Sequence, residues 1–242
     1  MAEAFAKLKE SFIFNFIEGA RWKYITNGLL VTLKVTFFAL LLGIAIGVVV
    51  AMIRSSYDQT KDEMQPGFGK TLMTGLNNLA RLYLTVIRGT PVVVPLLIGY
   101  FVIFVSTTNT VFVASMVFGI NSGAYITEII RGGIMSIDHG QFEAGRSIGF
   151  NYIQTMRHII IPQAFKNVLP SLANEFIALL KETAVSGYIG LMDLTKGGDV
   201  IRGRTFSAFM PLIAVALIYL LLVIIFSKLV GILERRLRRN EH

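Results

Sequence analysis

The sequence has no cysteine and few charged residues, and both absences restrict what the protein can be. Without cysteine it forms no disulfide, no thiolate metal site and no thiol nucleophile. Three histidines leave no room for a histidine-rich metal site, so we predict no metal ion in the chain. Charged residues make up 16% of the 242 residues, whereas a soluble domain carries about 25%. With 54% apolar residues, the composition indicates a membrane protein.

The positive charge of the chain does not indicate nucleic-acid binding. The formal net charge is +8, but the basic residues lie beside apolar runs, and no aromatic–basic interleaving or zinc pattern accompanies them. Basic residues in that position orient a protein in the membrane. We therefore predict contact with membrane lipid and none with nucleic acid.

The apolar runs predict an all-α polytopic membrane protein with about five transmembrane helices. A helix rises about 1.5 Å per residue, so about 20 residues cross the hydrocarbon core of a bilayer. The run at 91–105 is short and reaches this length only when its helix begins near Thr71, and "RGTP" at 88–91 breaks that helix. The predicted spans are 29–53, 71–105, 111–130, 168–180 and 209–230.

The arginine-rich end of the chain sets the predicted orientation. "ERRLRRNEH" follows the last span directly and carries four arginines, which places it in the cytoplasm by the positive-inside rule. Counting back across five spans puts the N-terminus outside. We predict an extracytoplasmic or interfacial segment at 1–26, a transmembrane domain at 27–236 and a cytoplasmic tail at 237–242. The first apolar run is too long for a cleavable signal peptide. The Phe-rich stretch before it is predicted to be an interfacial helix, with a plain loop as the alternative.

A cytoplasmic segment at 138–162 contains "EAGRSIG" followed by "YIQTMRHIIIP". The negative charge of Glu143 suits the first turn of a helix, and Gly149 can take the left-handed conformation that ends one. We predict a short helix, a corner at Gly149, a second helix and a corner at Pro162. The first helix presents one small, partly apolar face, which a partner's groove can hold closely. That face consists of Phe142, Ala144, Gly145 and Ile148. A solvated connector between spans is the alternative.

This segment resembles the EAA signature of ABC importer permeases. The matching positions are Glu143, Ala144, Gly145, Gly149 and Pro162, with Gly145 in place of the second alanine of the signature. Further segments resemble the polar amino acid permease subfamily of the histidine, arginine and glutamine type. They are "VIRGTP" at 86–91, "NSGAYITEIIRGGI" at 121–134, "IPQAFKNVLPSLANEFIALLKET" at 161–183 and "RTFSAFMPLIAVALIYL" at 204–220. The resemblance covers 27–236.

The resemblance implies a type I importer subunit in the bacterial inner membrane. In this family two identical or homologous permease subunits pair, their EAA loops dock onto a cytoplasmic ABC ATPase dimer, and an extracytoplasmic binding protein delivers the amino acid. ATP and Mg²⁺ then belong to the ATPase, and this chain needs no cofactor and is not an enzyme. The sequence agrees, because "GFGKT" at 67–71 imitates the end of a P-loop but has Met64 where the first glycine is required.

Polar residues within the predicted spans indicate a substrate pathway, because buried polar groups are costly in a membrane. An amino acid needs acceptors for its ammonium group, which Glu128 and Glu182 can supply. It also needs donors for its carboxylate, and we predict Thr90, Asn121, Ser122 and Thr183 for this role. The alternative is hydrogen bonding between helices, with Glu128 paired to Arg131 one turn on.

A second function stays open at this point, namely an ion- or proton-coupled secondary transporter or channel that uses Glu128 and Glu182. Such transporters often contain internal repeats, and the sequence shows none. It also lacks the H-E-x-x-H and G-x-S-x-G motifs of hydrolases, so we predict no catalytic residue.

Overall fold

The computed structural model of the chain describes residues 1–62 and 64–238, and every regular element in these residues is helical. The all-α prediction is confirmed. The α-helices are α1 (Ala2–Phe12), α2 (Trp22–Thr60), α3 (Phe68–Gly89), α4 (Val93–Ile98), α5 (Thr110–Met135), α6 (Gly140–Ser147), α7 (Tyr152–Thr155), α8 (Ile161–Glu182), α9 (Leu194–Thr205) and α10 (Phe209–Arg238). Of the predicted tail, residues 239–242 lie outside the described residues.

Three helices of the described chain, α2, α5 and α10, are each long and apolar enough to cross a membrane. Helix α3 and the segment Val93–Ile103 meet at a bend of 102°, and they make a fourth span if the bent pair crosses the membrane as one. The fifth predicted span lies in α8, whose 22 residues extend about 33 Å. That length is sufficient, but α8 is too polar to qualify by composition, so its crossing stays a prediction. The helices make this a multi-pass membrane protein.

The predicted break in the second span is present between α3 and α4. Thr90 leaves the helix in an extended conformation, with φ −117° and ψ 140°. The following residue, Pro91, causes this, because its ring disfavours the helical conformation of the residue before it. The backbone groups at this break are therefore not all committed to helical hydrogen bonds.

The chain forms two compact units. The first contains Met1–Ala39, Val92–Phe118 and Ile177–Lys228. Its core joins Phe16 to Ile25 of α2, to Leu194 and Ile201 of α9, and to Val215 of α10. Beside this cluster, buried Thr205 Oγ1 donates to Asn15 Oδ1 at 2.9 Å. The N-terminal segment thus packs on α9.

The Phe-rich stretch at 12–22 is helical as far as Ile17, and the helix then breaks at Gly19 and Ala20, which have φ of 59° and 52°. Helix α1 continues into a wide helical turn at Ile13–Ile17, and α2 begins at Trp22. Phe5, Leu8 and Phe12 are exposed on α1. An exposed apolar face suits the membrane interface, and the interfacial location stays a prediction.

The second unit contains Leu40–Pro91, Gly119–Phe176 and the described part of Leu229–His242. Side-chain hydrogen bonds join its helices, and two of them link α3 to α2 and to α5. Arg54 donates to Asn77 Oδ1 at 3.0 Å, and Tyr83 Oη donates to the Ile120 carbonyl at 2.6 Å. The end of α5 meets the start of α8 in an apolar cluster of Ile134, Ile160 and Ala164. Phe142, Met156 and Ile159 of the segment 138–162 pack against this cluster.

Candidate coupling and substrate sites

Helix α6 ends as the sequence predicts. Gly149 has a φ of +86°, the left-handed conformation that glycine adopts at little cost. Its N–H donates to the Arg146 carbonyl at 2.9 Å, and the Phe150 N–H donates to the Gly145 carbonyl at 3.0 Å. This pair of bonds is the Schellman arrangement, which satisfies the last carbonyls of a helix. The corner at Gly149 is therefore confirmed.

Gly145, which departs from the EAA signature, is buried against Thr155. A Cβ at position 145 would lie 2.6 Å from Thr155 Oγ1 and 2.7 Å from its Cγ2. Both distances are shorter than van der Waals contact. Glycine at this position thus lets α6 lie directly against α7.

The corner predicted at Pro162 is wrong. Helix α7 begins with reciprocal bonds of 2.9 Å between Asn151 and Gln154, a capping box. The chain then passes through a wide turn at Met156–Ile160, where the Ile161 N–H donates to the Met156 carbonyl five residues back, and enters α8 without leaving the helical region. Pro162 has no N–H to donate, and a wide turn before a proline accommodates both the missing bond and the ring.

The predicted docking face of α6 is divided. Phe142 packs against the apolar cluster at Ile134, and Gly145 faces Thr155. The side chains of Ala144 and Ile148 are exposed, as is Glu143, which lies 3.5 Å from His139 Nδ1. Such an exposed pair adds little stability. Two of the four predicted residues therefore hold the helix in place, and the side chains of the other two are exposed.

Two predicted pathway residues are buried side by side in α5. They are Asn121 and Ser122, and Ser122 Oγ donates to Glu175 Oε1 of α8 at 2.8 Å. This is the helix–helix hydrogen bond that we gave as the alternative for Ser122. Sequence reasoning did not assign the carboxylate of Glu175 to any site, because Glu175 is far from Ser122 in the chain. A substrate role for Asn121 and Ser122 stays a prediction.

Tyr125 and Glu128 lie on the same face of α5 as Asn121, one and two turns further along the helix. The guanidinium of Arg88 lies 5.6 Å from the Tyr125 ring centre, within the range of a cation–π contact. Arg131 donates to Glu128 at 3.1 Å, so the predicted alternative pairing of Glu128 is present. Thr90 is exposed, and its hydroxyl donates to the Val86 carbonyl at 3.0 Å. Arg88 of α3 is thus a cation beside this face of α5, and sequence reasoning did not assign it to the site.

The remaining two pathway residues, Glu182 and Thr183, belong to the first unit. Glu182 ends α8 and is half-buried, and buried Thr183 donates to the Leu180 carbonyl at 2.9 Å. Thr90, Asn121, Ser122 and Glu128 lie in the second unit. The predicted pathway residues are thus divided between the two units.

Further along the chain, the buried carboxylate of Asp193 caps the N-terminus of α9. Asp193 accepts hydrogen bonds from the N–H groups of Lys196 at 2.9 Å and Thr195 at 3.3 Å, and the Leu194 N–H donates to Thr32 Oγ1 at 3.1 Å. Burial raises the pKa of Asp193 to about 6, although the hydrogen bonds to its carboxylate oppose this. This N-cap fixes the segment after Thr183 against α2.

Comparison with known families decides between the two functions left open by the sequence. Residues 72–239 match the family described as the inner membrane component of binding-protein-dependent transport systems. The chain belongs to this family. This permease is 35% identical to the glutamine transport system permease protein GlnP of Escherichia coli K12, over 85% of the chain and 90% of that protein. It is 34% identical to the arginine transport system permease protein ArtQ of Bacillus subtilis 168, over 90% and 94% respectively.

A solved structure confirms the fold of the permease. A chain in the crystal structure of an amino acid ABC transporter with histidines is 38% identical and superposes with a TM-score of 0.79. The match covers 91% of the permease and 98% of that chain. The resemblance to ABC importer permeases is confirmed, and an importer is favoured over a secondary transporter or channel. A permease of such a system lies in the inner membrane and works with an ATPase and a substrate-binding protein.

Proposed function

We propose that this permease imports a polar amino acid and that a separate ATPase hydrolyses the ATP. The observation that carries the proposal is the likeness over most of the chain to permeases named for glutamine and arginine transport. The ATP and Mg²⁺ sites then lie on the ATPase, and the permease is a translocation subunit without a catalytic residue. The start of α3 supports this, because Gly67 there follows no strand within the described residues, whereas a P-loop follows one.

The proposed contact with the ATPase dimer is the solvent-exposed face of α6. Ala144 and Ile148 leave a small apolar surface there, with Glu143 beside it. The Gly149 turn and the Gly145–Thr155 contact hold α6 in a fixed position on the second unit. Movement of the ATPase surface is therefore passed to α5 and α8 rather than absorbed by a slack loop. Pro162 takes part only as a residue of α8.

The proposed substrate contacts follow from the charges of a zwitterion. Buried Asn121 and Ser122 lie in α5 together with Glu128, and Thr90 lies at the broken span. Broken helices offer backbone groups that bind polar substrates. Within the first unit, Glu182 and Thr183 are the proposed acceptor and hydroxyl contacts. The side chains of Glu128 and Glu182 favour a basic or neutral amino acid over an acidic one.

The proposed assembly contains a second permease subunit, identical or homologous, and an extracytoplasmic amino-acid-binding protein. The proposed orientation puts the N-terminus outside and the C-terminus in the cytoplasm. The support is the basic end of α10, where Arg235, Arg236 and Arg238 follow the apolar part of the last span. With this orientation α6 faces the cytoplasm, where the ATPase is.

The segment between α9 and α10 then lies on the outer side of the membrane. An acidic substitution in that segment is therefore expected to leave ATPase binding intact.

Uptake of a labelled amino acid by the reconstituted transporter tests the substrate contacts. Asn121→Ala and Glu182→Gln are each expected to lower the rate about tenfold, because each removes a hydrogen bond to a charged group. Assembly with the ATPase is expected to be unchanged. The matched controls are Asn174→Ala, an exposed asparagine of α8, and Glu10→Gln, an exposed glutamate of α1. Wild-type rates in both test variants would remove these residues from the site.

A further inference from the structure

The second unit contains a cavity of about 760 Å³ beside the coupling helix, which the proposed transport function does not use. Its wall comes from three parts of the chain: the end of α2 at 55–61, the end of α5 and the turn after it at 131–137, and the segment 139–155 around α6 and α7. Pockets of about 300–1,000 Å³ hold small molecules. The concave shape and this size fit a small ligand rather than the surface of another protein.

The charge of the cavity wall favours an anion. Three cationic side chains, Lys61, Arg131 and Arg146, line the cavity, and one carboxylate, Asp58, lies among them. Arg131 pairs with Glu128 through its terminal nitrogen, but its Nε is buried and has no hydrogen-bond partner among the described residues. Cationic side chains from α5, from α6 and from the residue after α2 thus line one cavity.

Two buried hydroxyl groups also lack a partner at this wall. Ser55 and Thr155 are 4% and 2% exposed, and neither Oγ atom forms a hydrogen bond within residues 1–62 and 64–238. Leaving a buried polar group unsatisfied costs about 1–3 kcal/mol. A ligand that accepts hydrogen bonds in the cavity would remove this cost.

We propose that this cavity binds a phosphate ester. A phosphate group carries the negative charge that the three cations select and several acceptor oxygens for Arg, Lys and hydroxyl donors. Apolar residues such as Ile134, Met135 and Phe150 line the rest of the wall and suit the carbon chain of the ester. The ester comes either from an anionic phospholipid headgroup or from a soluble phosphorylated metabolite. Basic pockets at the cytoplasmic ends of transmembrane helices hold such headgroups.

Binding in this cavity would join the coupling helix to the spans. Arg146 and Thr155 belong to the segment around α6 and α7, whereas Ser55 belongs to α2 and Lys61 directly follows it. One phosphate that contacts both sets fixes α6 relative to α2 within the unit. Occupancy then changes how strongly ATP hydrolysis drives transport. This consequence rests on the proposed coupling role of α6, but the binding itself does not.

The test uses the full-length chain in phosphatidylcholine nanodiscs, with and without phosphatidylglycerol. A second arm titrates glycerol 3-phosphate into phosphatidylcholine nanodiscs. Retained lipid is identified by native mass spectrometry, and binding of either ligand is followed by the melting temperature. Lys61→Gln and Arg146→Gln are each expected to weaken binding about tenfold. Arg81→Gln, an exposed cation of α3 outside the cavity wall, is expected to leave it unchanged.

Binding of phosphatidylglycerol that depends on Lys61 and Arg146 supports the headgroup as the source. The same dependence for glycerol 3-phosphate supports the soluble source. Lys61 is exposed, so its substitution does not threaten the fold. The proposal is overturned if neither ligand binds, or if Arg81→Gln weakens binding as much as Lys61→Gln. Because no ATPase is present, a failure of the proposed transport function would not affect either result.

Discussion

Ile148→Asp is expected to release the permease from its ATPase and to abolish ATP-driven uptake. Ile148 directly follows α6, and 66% of this residue is exposed on the proposed docking face. A carboxylate that is buried in an interface without a partner costs several kcal/mol. We therefore expect binding to weaken by at least about 100-fold. Co-purification of the ATPase with the tagged permease measures the effect, and substrate-stimulated ATP hydrolysis gives a second readout.

Phe206→Asp is the matched control for this substitution. Phe206 is an apolar residue that is 96% exposed, and it lies between α9 and α10 in the segment proposed to face outside. The variant introduces the same charge and is expected to retain the ATPase. Release of the ATPase by Phe206→Asp but not by Ile148→Asp would contradict both the orientation and the docking role of α6.

Gly145→Ala is expected to reduce coupling between ATP hydrolysis and uptake by about tenfold. The added Cβ would overlap Thr155 Oγ1 and Cγ2, and overpacking of this kind costs about 1–3 kcal/mol. Helix α6 then shifts away from α7, which changes the surface that meets the ATPase. The ratio of amino acid transported to ATP hydrolysed in proteoliposomes measures the loss.

Thr155→Ala distinguishes this contact from a general defect. It removes both overlapping atoms, so Gly145→Ala/Thr155→Ala is expected to recover the level of coupling that Thr155→Ala has alone. A double variant that is no better than Gly145→Ala would show that the contact with Thr155 is not the cause. The recovery also shows why glycine replaces the second alanine of the signature here.

Features that depend on local backbone chemistry could be predicted from the sequence. The break after α3 follows from Pro91, which restricts Thr90, and the end of α6 follows from Gly149, which takes a positive φ. The helices α2, α5 and α10 follow from long apolar runs. In each case the residues that decide the structure lie next to the element they decide.

The corner at Pro162 was wrong because a proline has two outcomes in a helical run. It breaks or kinks the helix, or the chain stays helical through it, as at Pro162 after the wide turn at Met156–Ile160 and at Pro170 inside α8. No residue of that turn indicates its width in the sequence. The docking face of α6 was divided for a related reason, since Phe142 packs on a cluster whose members lie in other helices.

Contacts between distant residues were beyond sequence reasoning. Ser122 donates to Glu175, and Arg88 lies over Tyr125, yet each pair joins different helices. The fit of Gly145 against Thr155 depends on the angle at which α6 leaves Gly149. A single sequence predicts that such polar and small residues are buried, but not which ones meet.

We propose that ATP hydrolysis by a partner drives amino acid uptake through this permease. Proteoliposomes with the ATPase and ATP inside and the binding protein outside test it most directly. We predict that a labelled amino acid accumulates only when both ATP and the binding protein are present, and that an ionophore leaves its rate unchanged. Accumulation that persists without ATP and stops when an ionophore collapses the ion gradient would contradict the claim and identify a secondary transporter.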